Sequence, residues 1–319
     1  MKRYGQEISV AIAIAALAFV LAFAAPGYFS RENLSDLFLS NMPVLVVAIG
    51  MTLVILTGEI DVSVGSIFAI CGVAAGVIAK AGVPVLIACL AACAIGALLG
   101  AFNGALVAYV RIPSIVVTLA TMTALRDGLR WATQGAWIAE LPSSFQWFGL
   151  TQKAYPIAAL LTAVVLVAGT GWGLRNLAAG RSIYATGSNA EAARVSGINT
   201  HRVVFLVFAA TGALTGLAAV FNSVRFNQIP SNAGLGLELK VIAAVVVGGV
   251  AITGGRGSML GTVLGVALLG AIGPALIFLD TSAYWEQALQ GVVILAAITI
   301  EALRSRAEMR EAGLAAHRV

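Results

Sequence analysis

The chain has 319 residues; 60% are hydrophobic, only 10% are charged, and the net charge is +5. Soluble domains carry about 25% charged residues, so an ordinary soluble enzyme is excluded, as is a disordered chain, which needs low hydrophobicity. A bilayer-crossing helix takes about 20 apolar residues, and spans at that cost leave room only for short loops.

Apolar runs fall at 8–25, 41–57, 62–79, 84–108, 112–125, 156–174, 203–222, 238–253, 258–279 and 283–302. They predict an all-α, polytopic membrane protein of about ten transmembrane helices, a single transmembrane domain over 1–319. Lys2 and Arg3 precede the first run, and Ala22-Phe23-Ala24 resembles a signal-peptide cleavage site. The run exceeds the usual ~7–15-residue signal core, so a retained helix is expected. Ten spans divide five plus five, which gives the halves opposite orientation, the plan of an inverted repeat.

Several polar residues interrupt these runs. Asn41, Asn103 and Asn222 lie in or beside spans, and a buried Asn needs hydrogen-bond partners. Each faces another helix or a watery path. Glu59 and Asp61 follow Gly58 between the second and third runs, and Ser63 lies at the start of the third. Asp61 is suited to cap the next helix; the same residues could instead form a gate hinge. Cys71, Cys89 and Cys93 sit in apolar runs and read as small core residues. Pro113 opens the short fifth run, and Ser114, Thr118 and Thr121 share a face after it. Their hydroxyls either bond their own backbone or line a polar path. The stretch 126–155 carries Trp131, Trp137, Phe145, Trp147 and Phe148, an interfacial belt or a surface that docks an outside partner.

The segment 175–202 is the longest polar interruption of the second half. Within it Asn189 can cap a helix, Glu191 falls in the first turn where the dipole favours an anion, and Gly197 suits a left-handed end. A helix of about two turns is predicted there. It is either a plain connector or, given its small side chains, a plug for a groove on a partner. With the N-terminus inside and ten spans, the cytoplasmic side holds Lys2, Arg3, Arg111, Arg175, Arg181, Arg194, Arg202, Arg256, Arg304, Arg306, Arg310 and Arg318. These are most of the 19 basic residues, so both termini are expected to be cytoplasmic.

No energy source is evident in the chain. None of its four Lys follows Gly, so there is no P-loop. The segment Gly255–Gly261 has the wrong spacing for a dinucleotide fingerprint and reads as a turn between close-packed helices. The mid-regions of the runs contain no Asp, Glu or His, so a proton relay is poorly supported. No catalytic or metal-ligand cluster assembles at helical spacing, and no clustered basic stripe calls for a nucleic acid.

Glu191-Ala192-Ala193, followed after three residues by Gly197, resembles the EAA-x-x-x-G loop of ABC importer permeases. The Ile-x-Leu-Pro stretch of that motif is absent. Gly58-Glu59-Ile60-Asp61-Val62-Ser63-Val64-Gly65 is similar to the Gly-Gly-Ile-Asp-Leu-Ser-Val-Gly signature of the ribose/monosaccharide branch, within the branched-chain amino acid/monosaccharide permease superfamily. The run Ile112–Met122 and the glycine-rich stretch Val245–Gly265 resemble two further signatures of that branch. Glu59 replaces a usual Gly, and Gly273-Pro274-Ala275 stands where the branch often has Asn-Gly-Leu. Trp131-Ala-Thr and Leu141-Pro142 with Phe145–Gly149 look similar to its rhamnose-type members.

The resemblance implies the transmembrane subunit of an ATP-driven importer for a monosaccharide, ribose-type or a 6-deoxyhexose such as rhamnose. It implies a multi-pass protein of the bacterial inner membrane and a second permease subunit, as homodimer or heterodimer. It also implies ABC ATPase subunits that bind ATP and Mg, a periplasmic sugar-binding protein, and no cofactor in this chain. The coupling helix would lie in the loop 175–202, with Asn189, Glu191, Ala192, Ala193 and Gly197 facing the ATPase. Glu59, Asp61 and Ser63 become gate or signature residues, and Asn41, Asn103, Ser114, Thr118, Thr121 and Asn222 pathway candidates. An ion-coupled secondary sugar carrier is the alternative.

Overall fold

The computed structural model describes residues 5–282, 285–292, 295–296 and 299. They are mostly helical: α1 (Gly5–Ala24), α2 (Arg31–Leu56), α3 (Val64–Lys80), α4 (Val85–Ala108), α5 (Ser114–Thr133), α6 (Tyr155–Asn176), α7 (Ala178–Ser188), α8 (Ala190–Val195), α9 (Thr200–Ser223), α10 (Leu237–Val247) and α11 (Met259–Phe278). Ile138 and Ile229 form an isolated antiparallel bridge between two loops.

Among the described residues, six helices are long and apolar enough to cross a membrane: α1, α2, α4, α6, α9 and α11. The chain is thus an all-α, membrane-spanning protein. α3 is apolar but shorter, at 17 residues. α10 has 11 residues, about 16 Å of helix at 1.5 Å per residue. Residues 1–4 and 300–319, and so part of the run 283–302, lie outside the described residues.

Burial separates the centre from the rim. In the most apolar 18-residue window, 78% of α2 and 56% of α9 is buried, against 11% of α1 and 17% of α6. α9 packs on α2, α3 and α4. The α4–α9 contact is antiparallel: Gly96, Gly100 and Gly104 meet the backbones of Gly212, Phe208 and Phe205 in reverse order. A Cβ at Gly96 would lie against the Gly212 carbonyl oxygen. Lipid offers helices no hydrophobic drive to associate, so such close backbone contact supplies the attraction. α11 closes on α10 in the same way, with Gly261 against Gly248 and Gly265 against Ala244. A Thr52–Thr262 hydroxyl pair at 2.7 Å ties it to α2.

Four elements differ from the sequence reading. The second helix begins at Arg31 rather than 41, because Ser30 caps it by accepting from the Asn33 N–H at 3.3 Å. The fifth does not stop at 125: it runs through Arg126 to Thr133, since Arg126 finds a buried partner. The run 238–253 is helical only to Val247; beyond it, Gly249, Gly254, Gly255 and Gly257 take positive φ and form a turn. α7 fills part of a segment read as loop, and its apolar side Ile183–Tyr184 packs on the core.

Candidate functional site

α8 is built by its own residues. Asn189 leaves helical geometry at φ −163° and ends α7, and its side chain accepts from the Ala192 N–H at 2.9 Å. Glu191 and Arg194 pair one turn apart on the surface. Gly197 closes the segment at φ +85°, with open space where a Cβ would stand. The backbone conformation, not crowding, is therefore what demands glycine there. Ala193 is the buried anchor, while Ala190, Glu191, Ala192 and Arg194 are exposed. Val195 is 83% exposed, an apolar knob the sequence reading overlooked. The signal available was a β-branched apolar residue in an otherwise small and polar helix.

α8 projects outward, but α7 is locked into the bundle. Gly187 presses on the Leu56 carbonyl oxygen at the end of α2, and a side chain there would collide with it. The Gly255 N–H donates to that same oxygen at 3.0 Å. Gly254 lies against Gly58 and Gly187, and Gly255 against Ser188. The Tyr184 hydroxyl donates to the Gly257 carbonyl at 2.9 Å. The end of α2, the end of α7 and the glycine turn after α10 thus meet backbone to backbone.

From Leu56 the chain leads straight into the second group of sequence-marked residues. Asp61 is fully buried. Its Oδ1 accepts from the Ser63 N–H at 2.9 Å and from the Ser63 hydroxyl at 2.6 Å. Ser63, not Asp61, occupies the cap position of α3, and the carboxylate shapes the turn that starts the helix. The Asn103 side chain donates to the Ser63 hydroxyl at 2.8 Å. Asp61 Oδ2 and Asn103 Oδ1 are buried without hydrogen-bond partners. Burial pushes the Asp61 carboxyl up to about 6, against the opposing pull of its Ser63 hydrogen bonds. Burial also raises the Glu59 carboxyl, opposed by a hydrogen bond with Ser114.

Ser114 and Thr118 join this cluster. Ser114 Oγ accepts from the Ile60 N–H at 3.2 Å. The Thr118 hydroxyl donates to the Ser114 carbonyl at 2.8 Å and reaches the Ile60 carbonyl at 3.4 Å. Thr121 bonds the Thr118 carbonyl of its own helix at 3.3 Å. Glu59, Asp61, Ser63, Asn103, Ser114 and Thr118 are therefore one constellation around the segment 57–63. Asn41 stands apart, tying α2 to α11 through Gly270 at 3.4 Å, and Asn222 lies half-buried in the last turn of α9.

The aromatic stretch divides in two. Phe145 is buried, and Trp147 and Phe148 pack around Tyr155 and Phe221. Trp131 and Trp137 are exposed. One ion pair escaped the sequence reading: Arg126 of α5 reaches Glu238 of α10 at 3.5 Å. Arg126 falls just after the apolar run 112–125, and nothing in linear spacing links it to a residue as far away as Glu238. Among the described residues no group of His, Cys, Asp and Glu could hold a metal ion.

The family described as "Branched-chain amino acid transport system / permease component" matches residues 33–298. The "Autoinducer 2 import system permease protein LsrC" of Escherichia coli (strain K12 / DH10B) is 38% identical over 297 residues, covering 90% of this chain and 85% of that protein. Its counterpart in Salmonella paratyphi B (strain ATCC BAA-1250 / SPB7) is 38% identical over 299 residues, covering 91% and 85%. The Shigella flexneri protein of the same name is 38% identical over 297 residues, covering 90% and 85%. No solved structure gives a significant match.

Proposed function

The chain belongs to the branched-chain amino acid transport system permease family, and from that premise we propose how this ABC-type importer permease, itself no catalyst, is coupled and what it carries. Its α8 docks on a separate ATPase subunit that binds ATP and Mg. The observation that carries this is the seat of the α7–α8 unit: exposed residues outward, Gly187 on Leu56 inward. When the ATPase pair closes, displacement of α8 passes through α7 to the end of α2. From there it reaches the segment 57–63, where Glu59, Asp61 and Ser63 act as a gate hinge braced by Asn103, Ser114 and Thr118. Packed backbones transmit such a shift because there is no slack between them.

The protein works as a pair of permease subunits in the bacterial inner membrane. Each has ten spans in two inverted halves, both termini cytoplasmic, and a periplasmic binding protein delivers the solute. The solute is a monosaccharide, ribose-type or a 6-deoxyhexose such as rhamnose, which the motif resemblances support. The relatives' role in autoinducer 2 import favours autoinducer 2 itself as the second reading.

The test is co-purification of the chain with the ATPase made beside it, before and after Glu191→Lys or Gly197→Pro. The ATPase is retained by the native chain and lost from both variants. Uptake of labelled rhamnose, ribose or autoinducer 2 that stops with a protonophore while cellular ATP stays high would instead support an ion-coupled carrier.

A further inference from the structure

α3 and α10, the two short apolar helices, begin beside each other. Gly65 in the first turn of α3 faces the Gly234 carbonyl just before α10, and a Cβ there would collide with the Glu238 carboxylate. Arg126 reaches the same point from α5, about 18 Å along the helix from Ser114. Interrupted helices whose N-termini meet inside a bundle are the places where transporters hold their cargo. Those termini also favour a carboxylate such as Glu238.

The pair at that point is poorly made for a structural tie. The Glu238 and Arg126 side chains are 9% and 13% exposed, and their closest atoms are 3.5 Å apart. Glu238 Oε2 and Arg126 Nη2 each lack a hydrogen-bond partner. A buried ion pair offsets its desolvation only with good geometry and further hydrogen bonds, and these two atoms have neither. Buried polar atoms left in that state call for a function. Together they offer an acceptor and a donor side by side with no net charge. That suits adjacent hydroxyls of a neutral solute, and gives an ion no preference.

We infer that Arg126 and Glu238 form a contact for a neutral, polyhydroxylated solute, reached when α5 and α10 part during transport. Glu238 accepts from one hydroxyl and Arg126 donates to the oxygen of its neighbour. The inference rests on the reading of the chain as a permease for a hydroxyl-bearing solute.

The experiment uses the whole importer in proteoliposomes, this chain with its ATPase and binding protein. The probes are radiolabelled L-rhamnose, D-ribose and autoinducer 2. Glu238→Gln and Arg126→Gln should still assemble with the ATPase, while uptake of the carried probe falls roughly tenfold. The exchange variant Arg126→Glu/Glu238→Arg rebuilds the pair but reverses donor and acceptor, so it should assemble and stay defective. Wild-type uptake in the exchange variant would show a tie between helices and overturn the inference. Wild-type uptake in either Gln variant, or failed assembly of all three, would overturn it too. Import by the native complex of a solute without hydroxyls, with none of the three probes carried, would overturn the functional reading along with it.

Discussion

Two regions of this molecule solve opposite problems with the same small residues. Around α8 the chain is exposed, local and polar: Asn189 caps, Glu191 meets Arg194, and Gly197 ends the turn. Around Asp61 and Ser63 it is buried and assembled from distant parts: Asp61, Ser63, Asn103 and Ser114 come from three separate stretches. The first can be altered residue by residue at small cost to folding. The second has no solvent to replace a lost partner, so each change there is felt by the whole bundle. Glycine shows the contrast most plainly. At Gly197 it supplies a backbone angle in open space; at Gly187 it supplies room against a carbonyl.

Substitution at that second glycine should have the largest effect. Gly187→Val drives a branched side chain into the Leu56 carbonyl. It should cost about 3 kcal/mol or more, near the upper end for overpacking, and abolish uptake. Thermal unfolding of the purified chain in detergent measures the first and vesicle uptake the second. A Gly187→Val chain as stable and active as the native one would remove the rigid link between the two regions.

Asp61→Ala comes next. It leaves the buried Ser63 N–H and hydroxyl without their acceptor, a loss of about 2–3 kcal/mol. Asp61→Asn, which keeps an oxygen for them, should lose about half as much. Denaturant unfolding of the two variants side by side checks the order.

Gly197→Ala should destabilise by only about 1 kcal/mol, the cost of a left-handed angle in a residue with a Cβ. Even so, it should weaken ATPase retention by reshaping the end of α8. Glu191→Ala should be smallest for folding, under about 0.5 kcal/mol for an exposed pair, while still reducing ATPase retention. If Gly197→Ala and Glu191→Ala leave ATPase binding untouched while Gly187→Val abolishes it, the docking surface lies elsewhere on the α7–α8 unit. Val195 is then the next residue to change.

The α8 region was readable from the sequence because capping and helix termination act within a few residues. The apolar runs were readable for a related reason: a bilayer requires length and hydrophobicity of each span separately. The ends of helices were less so. Arg126 read as the end of a span because an unpaired guanidinium does not belong in one, and its partner Glu238 is visible only once α5 and α10 are packed. Likewise Ser114 and Thr118 were correctly placed on one face, but what that face meets, the Ile60 backbone, depends on the path of another segment.

The sequence by itself determined the class of protein, the spans of most helices and the α8 turn, because each follows from composition or from hydrogen bonds between near neighbours. The tertiary structure alone decided that Asp61 is buried, that Arg126 faces Glu238, and that α7 is pinned to α2 through Gly187 and Leu56. Those depend on which helix backbones approach closely enough to touch, and in a membrane that is set by small residues on two helices at once, a property no single stretch of sequence contains.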